Sequence, residues 1–204
     1  MLIITGTGRC GTSVLAKFCR AVGHDPGGEW YEPVKAGYEH PKVVAINQAI
    51  INNLEAGTFR PEDYRKLIES IQASVVKDPR FLGHPSIIST WHEYRKDLSV
   101  LLLCRDADEI AASFDRHPTW FSWRGDTNKI YVSFYEFVLR LAEIGLPFRI
   151  LHFPGFLGQY ETVKAALDEL GLHVPDGEQV WEDVVDRSEV HHGNRAQETA
   201  CFAD

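Results

Sequence analysis

The chain has 204 residues, 44% of them hydrophobic, and a formal net charge of −8. That length supports one domain burying roughly 70% of its unfolded surface, and the acidic balance argues against nucleic acid as a bulk partner. No apolar run approaches the ~20 residues that span a bilayer, so no membrane partner is expected.

Leu2, Ile3 and Ile4 form a short apolar run, predicted as a strand over 2–5. It leads into Gly6-Thr7-Gly8-Arg9-Cys10-Gly11, after which Thr12 and Ser13 open an apolar-periodic helix predicted over 12–22. Such a strand–loop–helix turn is an anion cradle. Free amides at the helix start and the helix dipole attract negative charge, and glycines let the backbone curl around a phosphate. Arg9 adds a guanidinium, and Thr12 and Ser13 add hydroxyl donors. Residues 23–41 read as loop, rich in Gly, Pro, Glu and Tyr. Helices follow over 42–55, with Val43, Ile46, Ile50 and Leu54 inward, and over 62–73. Val75-Val76-Lys77 ends a strand over 74–77, where Asp78-Pro79 forces a turn.

A helix over 85–96 precedes Leu98–Cys104, a continuous apolar run of the kind that forms a buried parallel strand. Arg105-Asp106 ends it. A helix over 106–116 then turns Ile110, Ala111 and Phe114 inward and carries Ser113 eight residues after Arg105. A guanidinium and a hydroxyl brought together by a strand–helix turn suit a phosphate monoester. Residues 117–126 place Trp120, Phe121 and Trp123 in a loop, where they either close over an acceptor or plug the sheet. A helix over 128–144, a strand over 148–152 and a helix over 159–170 complete the pattern. Residues 173–204 are irregular apart from a short helical piece around Val180 to Val185. Strands alternating with helices imply an α/β fold. A parallel sheet of about four to five strands, flanked by helices in three layers, is expected as one domain over 1–204.

Three anion-loop templates fit the first turn. Gly6-x-Gly8-x-x-Gly11 satisfies a dinucleotide fingerprint, but the helix leads into Gly23-His24-Asp25-Pro26-Gly27-Gly28 and not into a second strand with an acidic end. Gly6-x-x-x-x-Gly11-Thr12-Ser13 is a Walker A pattern with Thr12 where the lysine belongs. A P-loop kinase of this kind would use Asp106 as its Walker B acid. A phosphatase loop is excluded, because Ala16 stands six residues after Cys10 where an arginine is required. The third template is the 5′-phosphosulfate loop.

Arg9-Cys10-Gly11-Thr12-Ser13, Lys77-Asp78-Pro79-Arg80 and the Arg105/Ser113 pair together resemble the sulfotransferases that use 3′-phosphoadenosine 5′-phosphosulfate (PAPS). Gly37-Tyr38-Glu39-His40-Pro41, Phe153-Pro154-Gly155-Phe156-Leu157 and Val184-Val185-Asp186-Arg187-Ser188 resemble further segments of bacterial members. Cys10 departs from the commoner serine, and the chain is short for the family. The resemblance implies a P-loop-like fold and transfer of a sulfuryl group to a small-molecule, glycan or peptide acceptor. Gly8, Arg9, Cys10, Gly11, Thr12 and Ser13 would hold the 5′-phosphosulfate, Arg105 and Ser113 the 3′-phosphate, and Arg195 would close over the nucleotide. Lys77 would stabilise the transferred group. Glu29, eighteen residues after Gly11 where the tyrosylprotein branch of the family has its glutamate, is the first choice as base that the resemblance implies, with Glu32, Glu39 and His40 open. A kinase or NTPase, or a nucleotide-binding regulator without a base, are the alternatives.

Four dispersed cysteines (Cys10, Cys19, Cys104, Cys201) without a Cys-x-x-Cys pair suggest neither a zinc site nor a disulfide framework. A reducing cytoplasm is the expected setting. Met1 leads straight into the first strand, so no signal peptide is expected. His191-His192 is expected to be solvated, and no metal is expected.

Overall fold

The computed structural model describes residues 1–31, 36–116 and 126–185. Strand β1 (Leu2–Gly6) is buried along its whole length because it has a parallel neighbour on either side. On one side lies β4 (Val75–Lys77), with Leu2 opposite Val75; on the other lies β5 (Ser99–Cys104), with Leu2 opposite Ser99. β6 (Phe148–His152) pairs parallel with β5, giving the order β4-β1-β5-β6.

Alternation along the strands sends side chains to two cores. Ile3, Val76, Val100 and Leu102 face one layer, built from α2 (Pro41–Glu55), α3 (Arg65–Glu69), α4 (Pro85–Tyr94), α5 (Ala107–Arg116) and α6 (Thr127–Glu143). Leu2, Ile4, Val75, Leu101 and Leu103 face the other, built from α1 (Thr12–Ala21), α7 (Tyr160–Glu169) and α8 (Glu178–Val184). The result is a three-layer α/β fold with a four-stranded parallel sheet. Trp91 and Trp181, fully buried, anchor the two cores. No helix among the described residues is long and apolar enough to cross a membrane.

The apolar runs and helical spacings locate every strand of the large sheet to within about two residues. Two departures matter. The stretch read as loop over 23–41 contains a short antiparallel hairpin, β2 (Trp30–Tyr31) with β3 (Ala36–Gly37), in which Trp30 lies opposite Gly37. Two-residue strands offer no alternation to read. The helix expected over 62–73 is a 3-10 turn (Pro61–Tyr64) followed by α3, because Pro61 starts a tight turn before the helix begins. Glu32, Trp120, Phe121, Trp123, His191, His192, Arg195, Cys201 and the side chain of Phe114 lie outside the described residues.

Candidate active site at the carboxyl edge of the sheet

The loop between β1 and α1 is bent by left-handed backbone at Gly8 (φ 73), Arg9 (φ 53) and Gly11 (φ 84). Two glycines are required on steric grounds. A Cβ at Gly6 would stand 2.4 Å from the Leu103 carbonyl oxygen and 2.6 Å from Cys10 Sγ. One at Gly11 would stand 2.6 Å from the Phe153 ring. Arg9 is not a glycine, and the left-handed region costs such a residue about 1–2 kcal/mol. The α1 N-terminus has no side-chain cap from Gly11 and no acidic residue in its first turn, and the Cys10 sulfur lies against the Thr12 amide. Thr7 Oγ1 is buried in the same loop without a hydrogen-bond partner of good geometry, only the Cys10 thiol beside it. Burial pushes that thiol up to about 11, so Cys10 is a neutral packing residue at physiological pH. Thr12 is buried as well.

Lys77 ends β4 directly beside this loop and is 2% exposed. Its ammonium donates to Ser13 Oγ at 3.2 Å, to the Gly37 carbonyl at 3.0 Å and to Glu39 Oε1 at 2.7 Å. Three acceptors for three N–H donors leave no hydrogen of this buried side chain without a partner. The strand end is fixed from below. The Asp78 carboxylate, fully buried, accepts from Asn47 Nδ2 at 2.9 Å, from the Arg80 amide at 3.1 Å and from Arg80 Nη1 at 2.9 Å. Trp91 Nε1 donates to Asn47 Oδ1 at 2.8 Å, and Thr5 Oγ1 donates to the Asp78 carbonyl at 3.0 Å. Burial pushes the Asp78 carboxyl above the usual range, and Arg80 opposes that shift.

Arg105 leaves the end of β5 on the opposite side of the loop. Its Nε donates to Glu109 Oε2 at 2.8 Å, its Nη1 to the Arg9 carbonyl at 3.2 Å, and its guanidinium lies 4.9 Å from the centre of the Phe153 ring. Arg9 Nε in turn donates to Ser113 Oγ at 3.1 Å. Arg9, Ser13, Lys77, Arg105 and Ser113 are therefore joined through one loop, at the carboxyl edge where β1, β4 and β5 end. Asp106 Oδ1 caps α5, accepting from the amides of Asp108 and Glu109 at 3.0 and 3.3 Å.

The hairpin covers the Lys77 side. It is fastened to α1 by Lys17 over the Trp30 ring (5.4 Å), by Arg20 over the Tyr38 ring (5.3 Å) and by Arg20 Nη1 on the Gly28 carbonyl (3.2 Å). Antiparallel pairing separates Glu29 and Glu39, the two described glutamates of this stretch. The Tyr38 amide donates to the Glu29 carbonyl at 3.0 Å, which places Glu29 and Glu39 on opposite arms. The inner arm brings Glu39 to Lys77, whereas the Glu29 side chain is exposed. Among the described residues, Glu39 is thus the carboxylate of this stretch that the fold sets against Lys77. The sequence marks it only by its place in Gly37-Tyr38-Glu39-His40. His40 Nδ1 is buried without a hydrogen-bond partner. Among the described residues, no three His, Cys, Asp or Glu side chains are gathered as a metal would need.

No protein-family model matches the chain, and no curated protein is significantly similar to it. Among solved structures it is similar to a sulfotransferase domain from the curacin biosynthetic pathway, with a TM-score of 0.52 and 15% identity. The match covers 86% of this chain and 75% of that one. The fold is sulfotransferase-like. At that identity the likeness is one of architecture, and the case for chemistry has to come from the side chains.

Proposed function

We propose that the protein is a sulfotransferase that moves a sulfuryl group from PAPS to a hydroxyl or amine acceptor. The observation that carries this reading is the convergence of Arg9, Lys77 and Arg105, with the hydroxyls of Ser13 and Ser113, on one left-handed loop at a helix N-terminus. In a chain of net charge −8, buried cations gathered at one edge call for an anionic ligand. The loop also suits a phosphate, since left-handed backbone at Gly8, Arg9 and Gly11 curls it and the α1 N-terminus it leads into carries no acidic side chain in its first turn.

PAPS, when bound, supplies an activated sulfuryl group on a phosphate leaving group. The loop amides and Arg9 hold its 5′ end. Arg105 and Ser113 hold its 3′-phosphate. Lys77 faces the transferred group, where an ammonium stabilises negative charge that grows during transfer. Glu39, drawn against Lys77, is better placed than Glu29 to take the acceptor proton. Two observations weigh against the kinase alternative. Thr12 stands where that family keeps its lysine, and Asp106, its would-be metal ligand, is occupied as a helix cap. Dispersed cysteines, three of which are free thiols, suit a cytoplasmic setting.

Thermal denaturation with adenosine 3′,5′-bisphosphate (PAP), ATP·Mg²⁺ and NAD at equal concentration tests the reading. A ligand at about 100 times its Kd stabilises the native state by roughly 2.7 kcal/mol. The largest rise in Tm is expected with PAP; a larger rise with ATP·Mg²⁺ overturns the proposal in favour of a kinase.

A further inference from the structure

Arg105 is paired with a carboxylate inside a site meant for anions, and the phosphate-binding role above leaves that carboxylate without a purpose. We infer that Glu109 is a positioning residue that makes the site selective for nucleotides carrying a 3′-phosphate. The inference rests on the proposed reading of Arg105.

The Arg105 guanidinium is held on three sides. Glu109 Oε2 takes Nε at 2.8 Å, the Arg9 carbonyl takes Nη1 at 3.2 Å, and the Phe153 ring underlies the plane at 4.9 Å. The Arg105 side chain is 5% exposed and that of Glu109 24%. Phe153 is itself fixed, because Gly11 packs so tightly on it that even a methyl group would not fit between them. Glu109 and Ser113 lie four residues apart on α5 and so share one face of that helix. Along that face Glu109 stands between the residue that grips it, Arg105, and Ser113, whose hydroxyl accepts from Arg9. An arginine immobilised in this way meets a phosphate without having to order its own long side chain, and preorganisation of that kind raises affinity. The carboxylate also repels the phosphate. Position and charge therefore act with opposite signs, and the glutamine variant separates them: Glu109→Gln keeps an oxygen for Nε and discards the charge.

Calorimetric titration with PAP and with adenosine 5′-phosphate gives the readout, as the ratio of their Kd values. Glu109→Ala should lower the preference for PAP by about tenfold, a loss of roughly 1.4 kcal/mol, and leave adenosine 5′-phosphate binding unchanged. Glu109→Gln should hold the ratio within about twofold of wild type, or raise it. A merely structural role would weaken both ligands alike. If Glu109→Ala fails to fold, Glu109→Met takes its place, keeping the aliphatic stem without an acceptor. A wild-type ratio in the Ala or Met variant, or a ratio that rises in it, overturns the inference and leaves the proposed function standing. A wild-type protein with no preference for PAP removes the reading of Arg105, and the inference with it.

Discussion

The two buried cations that flank the loop are held in different ways. Lys77 is satisfied by groups far away in sequence: Ser13, 64 residues off, and Gly37 and Glu39, 40 and 38 residues off. Two of its three acceptors come from one hairpin arm. Arg105 is gripped by Glu109, four residues on along its own strand–helix turn, and reaches the loop through Arg9. One end of the site therefore depends on long-range closure and the other is largely built in place. Under the proposed function, that difference suits the two ends to different work. A cation whose partners arrive on a separate arm can exchange them during a reaction, whereas one clamped by its own turn is suited to steady binding.

Substitution of the two cations should separate these roles most strongly. Lys77→Ala is expected to reduce sulfuryl transfer by about 10²–10³, the cost of one lost charge-stabilising donor. PAP binding should survive, measured by calorimetry beside chromatographic detection of transfer. Equal losses of binding and turnover would break the comparison. Arg105→Ala should do the reverse, weakening PAP by about 10- to 150-fold, the equivalent of a charge-assisted contact of roughly 1.5–3 kcal/mol. Adenosine 5′-phosphate affinity should change little.

Stability measurements sharpen the comparison further. Asn47→Ala removes the link between Trp91 Nε1 and the Asp78 carboxylate beneath Lys77. Two buried polar groups left without that partner should cost about 1–3 kcal/mol in urea denaturation. Gly11→Ala, on the Arg105 side, meets both a left-handed φ and the Phe153 ring, and about 2 kcal/mol is expected from the backbone and overlap together. The smallest effect is expected at Cys10. With its thiol pushed up to about 11, roughly one molecule in a thousand carries the thiolate at pH 8. Iodoacetamide at that pH should leave Cys10 of the folded protein unmodified by mass spectrometry. Rapid labelling would mean that the loop opens.

The same contrast explains what the sequence discloses. The strands over 2–5, 74–77, 98–104 and 148–152 announce themselves because a parallel sheet buried on both faces needs unbroken apolar runs. The loop glycines and the Arg105–Ser113 spacing are equally visible, since both follow from one local turn. The Lys77–Glu39 pair is not, because it depends on a hairpin of two-residue strands with no periodicity. Glu29 stands out in the sequence by its resemblance in position to the glutamate of one sulfotransferase branch, and a position along the chain carries no information about which arm of a hairpin turns inward. Glu109 stands in plain view beside Arg105, yet its spacing alone reads as an ordinary i,i+4 surface pair. Only its burial against the guanidinium, and that guanidinium's hold on the loop, give it another meaning.

The chain's cations at this edge are nearly hidden, with Lys77 at 2% and Arg105 at 8% exposure, while its surplus charge is negative. An anion is thus drawn in at contact range but pushed back from farther out. Dissolved salt screens the outer field first, since at 0.1 M it acts over about 10 Å. Ionic strength should then hasten the encounter with a nucleotide, the opposite of the salt response of sites that steer their ligands in. Such a protein would capture its ligand slowly in dilute buffer and faster in a cell's salt.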